Sequence, residues 1–141
     1  MAGEPVQRST EVAHNTALTP SKSKFVAAVF VVWGALLSVV GLVFVAFSSL
    51  ISDIPVSGLQ EFGIAISLIF FLFALIDFVV AYGIWNVTEW GWMGGLIISS
   101  LATVLYLLGV LGGAVDVVSI ALLGVTAFCV WALWDERAAF R

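Results

Sequence analysis

One acidic side chain, Asp77, lies inside the long apolar stretch FFLFALIDFVVAYGIW, which runs from Phe70 to Trp85. On a helix, the roughly eight residues between Asp77 and Trp85 correspond to a depth of about 12 Å. An aspartate at the centre of a membrane helix costs roughly 2.5–3.5 kcal/mol on insertion scales. Desolvation favours the neutral acid. We therefore expect Asp77 to be protonated, paired or in contact with water.

No lysine or arginine occurs within the apolar segments, so this chain offers Asp77 no buried salt bridge. At a similar depth the other segments carry hydroxyl groups and one indole N–H, which can hydrogen-bond to a carboxyl group in either protonation state. This predicted polar layer consists of Trp33, Ser99, Ser100, Thr103 and Thr126.

Two interpretations of Asp77 stay open. In the first, a neutral Asp77 forms hydrogen bonds between helices and sets their register; such bonds average about 0.6 kcal/mol. In the second, Asp77 takes up and releases a proton or cation during transport, the default expectation for an acid within a membrane. The absence of a second acid at this depth, and the scarcity of polar residues to line a pathway, favour the structural interpretation.

Other residues capable of catalysis or metal binding are few. The single histidine, His14, lies in a polar tail, and the single cysteine, Cys129, cannot form an internal disulfide and is expected to be a packing residue. The carboxylates Glu61, Glu89 and Asp116 fall in connections on opposite faces of the predicted topology. The sequence therefore predicts a protein that is not an enzyme and has no metal site and no cofactor.

The composition of the chain indicates a membrane protein. Of its 141 residues, 62% are hydrophobic and 10% are charged, whereas soluble domains average about 25% charged. The mean hydropathy is +1.19. A soluble fold of this length could not bury so much apolar surface. The net charge of −4 excludes nucleic acid as a partner, because nucleic acid requires a basic surface.

The apolar residues fall into four segments, each long enough to cross a bilayer, for which about 20 residues suffice. They run over residues 25–50, 62–85, 92–112 and 117–134. The sequence therefore predicts an all-α polytopic membrane protein with four transmembrane helices in an up-down bundle. The predicted domains are a disordered cytoplasmic tail at 1–24, a transmembrane domain at 25–134 and a short cytoplasmic tail at 135–141.

All five basic residues lie in the two tails, and none lies in a loop: they are Arg8, Lys22, Lys24, Arg137 and Arg141. Lysine and arginine favour the cytoplasmic side, and an even number of spans puts both tails on one side. We therefore predict a multi-pass protein of the cell membrane with both termini in the cytoplasm. Thr88 and Asp116 are predicted to cap the third and fourth helices, and Ser57 the second.

Small residues at helical spacing mark the faces predicted to pack. Apolar side chains give membrane helices no reason to associate, so close backbone contact must hold them together. One stripe lies on the first helix and consists of Gly34, Ser38 and Gly41. A longer stripe on the third helix consists of Gly95, Ser99, Ala102, Gly109 and Gly113, with Tyr106 between Ala102 and Gly109. These faces could contact helices of the same chain, a second copy or another membrane subunit.

In size and span number the chain resembles the small multidrug resistance exporters, four-helix dimers that use one intramembrane acid. That family places a glutamate in its first helix, whereas here the acid is Asp77 of the second helix, so the family's activity is not carried over. The layout is more similar to that of many uncharacterised four-helix membrane proteins of prokaryotes, and the acidic balance suits a haloarchaeal source. The favoured prediction is a non-enzymatic structural or accessory membrane component that self-associates or joins another subunit. The alternative is a small proton- or cation-coupled transporter using Asp77.

Overall fold

The computed structural model describes residues 21–50, 58–113 and 115–140, which form four long helices and one short one. They are α1 at Ser21–Leu50, α2 at Leu59–Trp85, α3 at Glu89–Leu111 and α4 at Val117–Asp135, followed by a 3-10 helix at Arg137–Phe140. Each α-helix is long and apolar enough to span a membrane, and no strand occurs in the described ranges. The predicted all-α, four-span membrane fold is confirmed.

The helix ends differ from the predicted spans by a few residues. Helix α1 begins at Ser21, α2 at Leu59 and α3 at Glu89, each before the start of the corresponding apolar run. The predicted disordered tail falls mainly on residues 1–20, which lie outside the described part of the chain.

The four helices form an antiparallel ring in which each packs against its neighbour along the chain, and α1 closes the ring against α4. Helix α1 begins, and α4 ends, at the same end of the bundle, where Lys22 and Asp135 form an ion pair. We call this the tail end; the turn between α2 and α3 lies there as well. The opposite end, where α1 and α3 end and α2 and α4 begin, is the far end.

Side chains cap two of the helices as predicted. The Thr88 hydroxyl accepts a hydrogen bond from the Gly91 N–H at 3.3 Å and donates one to the Gly83 carbonyl at 2.8 Å. Asp116 accepts a hydrogen bond from the Ser119 N–H at 3.3 Å at the start of α4. Helix α2 instead begins after Gly58, which has a φ of 88° and gives no side-chain cap. Ser57, the predicted cap, lies outside the described residues.

The densest packing lies in the tail half of the bundle, where all four helices meet. Its buried apolar residues come from α1, α2, α4 and the 3-10 helix: Val26, Ala27, Phe30, Val80, Ala81, Ile84, Cys129, Ala132, Leu133 and Phe140. Helix α3 contributes only small residues to the buried part of the bundle: Gly91, Gly95 and Ser99.

Glycine permits the close approach of α3 to α2 at the tail end. A Cβ atom on Gly91 would clash with the Gly83 carbonyl carbon and lie 2.6 Å from the Ile84 nitrogen. A Cβ atom on Gly95 would lie 2.7 Å from Ile84 Cδ1. Membrane helices that contact through backbone in this way gain the van der Waals packing that holds them together.

A polar cluster ties the first helix to the last at the tail end. The Glu136 carboxylate accepts hydrogen bonds from the Lys22 N–H at 3.2 Å and the Ser23 N–H at 2.7 Å. These N–H groups belong to the first turn of α1, where the helix dipole favours negative charge. Asp135 pairs with the Lys22 ammonium. We call Lys22, Asp135 and Glu136 the tail clamp.

Candidate functional site

A cavity of about 80 Å³ lies between the four helices, and Asp77 forms part of its wall. The lining residues come from every helix: Val29, Phe30, Trp33, Asp77, Ile98, Ser99, Ala102, Tyr106, Leu122, Val125, Thr126 and Cys129. Asp77 lies about 12 Å from the tail end of α2, and a bilayer core is about 30 Å thick. The cavity is therefore near the midplane of the membrane-spanning bundle.

Asp77 is 5% exposed, and the structure gives it neither a hydrogen bond nor an ion pair with any residue in the described ranges. The described basic residues are Lys22, Lys24 and Arg137, all at the tail end. No side-chain oxygen of the described residues is both buried and without a partner, so the unpaired Asp77 oxygens are accessible from the cavity. Asp77 thus contributes unused hydrogen-bonding capacity to the wall of the cavity.

Glycine on α1 lets this acid lie deep between the first two helices. A Cβ atom on Gly34 would lie 3.3 Å from Asp77 Cβ and 3.2 Å from the Ala74 carbonyl oxygen, so the backbone of α1 passes directly beside Asp77. One turn tailward, Val80 contacts α3 at Gly94, where a Cβ atom would lie 3.2 Å from Val80 Cγ2. Asp77 therefore lies on a part of α2 that is anchored on both sides.

Hydroxyl groups supply the other polar atoms of the lining. Ser99 is 3% exposed, and neither its hydroxyl nor that of Tyr106 has a hydrogen-bond partner among the described residues. Thr126 donates its hydroxyl proton to the Leu122 and Leu123 carbonyls, at 3.0 and 3.1 Å. The Thr126 oxygen keeps lone pairs for a ligand, whereas the Ser99 and Tyr106 hydroxyls can both donate and accept.

The structure brings together three of the five residues of the predicted polar layer. Trp33, Ser99 and Thr126 line the cavity with Asp77, whereas Ser100 and Thr103 are absent from its lining. The Thr103 hydroxyl instead donates to the Ser99 carbonyl at 2.7 Å. Tyr106 also lines the cavity, although the sequence analysis did not predict it as part of this layer. The sequence feature that could have revealed it is its position among the small residues of the α3 stripe.

The predicted packing residues differ in how deeply they are buried. Gly34, Gly41, Gly95 and Ser99 are buried, while Ser38 and Ala102 are half-buried, and Ala102 lines the cavity. Gly109 is exposed, and a Cβ atom there would have no neighbour within 4 Å. Gly113 lies beyond the end of α3, in the turn, with a φ of 102°.

The remaining carboxylates of the described chain lie far from the cavity. Glu61 is in the first turn of α2 at the far end, and Glu89 is in the first turn of α3 at the tail end. Asp116 lies at the far end, where its hydrogen bond with Ser119 lowers its pKa below the usual 3.8. Within the described ranges, no three histidine, cysteine, aspartate or glutamate residues lie close enough to hold a metal ion.

These features define an integral membrane protein of four helices that holds one buried acid in a mostly apolar cavity. No family model matches the sequence, and neither the curated proteins nor the solved structures contain a match.

Proposed function

We propose that this membrane protein is a small, non-enzymatic transporter in which Asp77 binds and releases a proton or a cation. The observation that carries the proposal is the unpartnered, 5% exposed Asp77 in the wall of a cavity near the midplane. Substrate and coupling-ion sites of membrane transporters lie near the midplane, where helices from both halves of the fold meet.

The contacts of Asp77 favour this role over a purely structural one. An acid that sets helix register does so through hydrogen bonds to neighbouring helices. Trp33, Ser99 and Thr126 all line the same cavity, yet Asp77 forms no such bond to any of them. The fold thus places an acid at the wall of the cavity without using it to join helices, as expected of a group that binds a ligand.

The orientation in the cell membrane is part of the proposal. The described basic residues all lie at the tail end: Lys22, Lys24 and Arg137. Because lysine and arginine favour the cytoplasmic side, the tail end and both termini face the cytoplasm. Exposed tryptophans at the same end form cation–π contacts with two of these residues. The Lys22 Nζ atom lies 4.5 Å from the Trp131 ring centroid, and the Arg137 Cζ atom lies 5.1 Å from the Trp134 ring centroid. Tryptophan with a neighbouring cation suits the headgroup region.

A second candidate function is that of a structural or accessory component that associates with a second copy or another membrane subunit. Gly109 favours it, because this glycine of α3 is exposed and no side chain of the described chain covers it. An open glycine permits close approach by a helix from outside the bundle. In both candidates the bilayer is the surrounding medium, and no enzymatic step is required.

Asp77→Asn separates the two candidates. The full chain would be reconstituted in vesicles containing a pH-sensitive dye, and decay of an imposed pH gradient would be followed with potassium and valinomycin present. We expect wild-type protein to speed the decay several-fold and Asp77→Asn to lower it to the rate of protein-free vesicles. The neutral amide keeps the shape of the acid but cannot exchange a proton.

Glu61→Gln is the matched control, because Glu61 is an acid of the same helix that lies outside the cavity. It should conduct like wild type, and circular dichroism of all three proteins should agree. If wild-type vesicles decay no faster than empty ones and Asp77→Asn mainly lowers the unfolding temperature, transport is wrong and the accessory role gains support.

A further inference from the structure

The lining of the cavity narrows the class of cation that it can accept. We infer that the site binds a small organic ammonium ion, such as a methylated amine, in preference to a bare metal ion. This inference rests on the proposed role of Asp77 as a binding group, and it adds the chemistry of the ligand.

The charge of the site matches one positive charge. Asp77 is the only carboxylate among the lining residues, and the lining contains no basic side chain. The neighbouring helices present only neutral groups: Trp33 from α1, Ser99 and Tyr106 from α3, and Thr126 and Cys129 from α4. A monovalent cation therefore leaves the occupied cavity neutral, whereas a divalent cation leaves an uncompensated charge in a low-dielectric interior.

The supply of oxygen atoms is poor for a metal ion. Metal ions in proteins require several oxygen ligands: calcium takes about 6–8, and magnesium takes about six, several of them from water. Here the lining side chains offer the Asp77 carboxyl group and the hydroxyls of Ser99, Tyr106 and Thr126. Backbone carbonyls within these helices accept intrahelical hydrogen bonds. An ammonium group needs only one to three acceptors for its N–H donors, which this set can supply.

The rest of the wall suits the carbon part of an organic cation. Seven of the twelve lining residues have no hydroxyl, carboxyl or thiol group, and Phe30 and Trp33 are among them. Aromatic rings attract ammonium ions, most strongly where water is excluded. These apolar residues offer a metal ion no ligand to replace the water that it loses. A methylated amine places its methyl groups against the apolar residues.

The size of the cavity suits a small ligand. A cavity needs roughly 10–15 Å³ to hold one water molecule, and this cavity has about 80 Å³. This space is enough for a few non-hydrogen atoms, as in methylammonium or dimethylammonium.

Ligand-induced stabilisation of the full-length protein in detergent tests the inference. Methylammonium, dimethylammonium, sodium, potassium and calcium chlorides would be compared at equal ionic strength. Since a ligand that binds the folded state raises the unfolding temperature, we expect the two amines to raise it and the metal ions to leave it unchanged. The shift should disappear in Asp77→Asn and persist in Glu61→Gln.

Cys129 reports where the ligand binds, because it is the chain's only cysteine and it lines the cavity. Methylammonium should slow modification of its thiol by methyl methanethiosulfonate several-fold in wild type and leave the rate unchanged in Asp77→Asn. A sodium or potassium effect as large as that of the amines overturns the inference, as does an amine effect that survives Asp77→Asn or no amine effect on unfolding. If proton flux remains in wild-type vesicles while the amines have no effect, only the ligand class is wrong and the proposed function stands.

Discussion

The tail half and the far half of the bundle differ in how tightly they pack. In the tail half, α2 and α3 touch through the backbones of Gly83 and Gly91, and Trp92 Nε1–H donates to the Leu133 carbonyl at 2.7 Å between α3 and α4. In the far half, α1 and α2 remain in contact, as at Gly41 against Phe71. In contrast, α3 has no buried residue after Ser99, and α4 has none before Cys129, within the described parts of these helices.

This difference shows what joins helices in this protein. Leucine, valine and isoleucine cover both halves, and in lipid they provide no net force between helices. Association follows glycine pairs and interhelical hydrogen bonds, which are concentrated at the tail end. The Asp77 cavity lies at the boundary, with a firmly packed core on one side and loosely packed helices on the other.

The largest expected effect comes from filling the glycine contact of the tail half. Gly91→Val places side-chain atoms against the Gly83 and Ile84 backbones, which cannot move without separating α2 from α3. We expect a loss of about 3 kcal/mol in the free energy of unfolding, at the upper end of overpacking effects. The measurement is a detergent unfolding titration of the purified protein.

Gly124→Val is the control from the far half, because a Cβ atom on Gly124 would have no neighbour within 4 Å. It should change the free energy of unfolding by less than about 0.5 kcal/mol. Equal destabilisation by the two substitutions would contradict the contrast between the halves.

A smaller loss is expected from the tail clamp. Glu136→Gln weakens two hydrogen bonds to the first turn of α1 and removes a negative charge from its N-terminus, so we expect a loss of about 1.5 kcal/mol. The same titration would measure it. Asp135→Asn removes only an ion pair between partly exposed groups, which is worth about 0.5 kcal/mol or less after solvent screening. A larger effect at Asp135 than at Glu136 would show that the ion pair is the main link.

The smallest effect is expected at the far end, where Asp116 caps α4. The pKa of Asp116 is lowered in the folded protein, chiefly by its hydrogen bond with Ser119. Its contribution to stability is therefore present above the unfolded pKa and is lost as pH falls through the folded value. Wild type should lose a small part of its stability below about pH 4, and Asp116→Asn should lose less over the same range. Unfolding temperatures across that range provide the measurement, and identical pH profiles would count against the cap.

Part of the candidate site around Asp77 could be predicted from the sequence. An acid in an apolar run was visible at once. Three of the residues that depth predicted as its hydrogen-bonding partners, Trp33, Ser99 and Thr126, lie in the lining of the same cavity, but none of them bonds to Asp77. Counting could not exclude Ser100 or Thr103, because depth along a helix says nothing about rotation about its axis. The absence of a described partner for Asp77 depends on that rotation in all four helices.

The sequence by itself determined the four spans and the caps at Thr88 and Asp116, because each depends on residues adjacent in the chain. The even number of spans also correctly implied that α1 begins where α4 ends. Only the tertiary structure decided that Gly83 meets Gly91, that Glu136 binds the start of α1 and that Tyr106 joins the cavity. Apolar residues surround every helix, and the stripes of small residues on α1 and α3 mark the inward face only in part, since Gly109 of the α3 stripe is exposed. The choice is made by close contacts between residues that are distant along the chain.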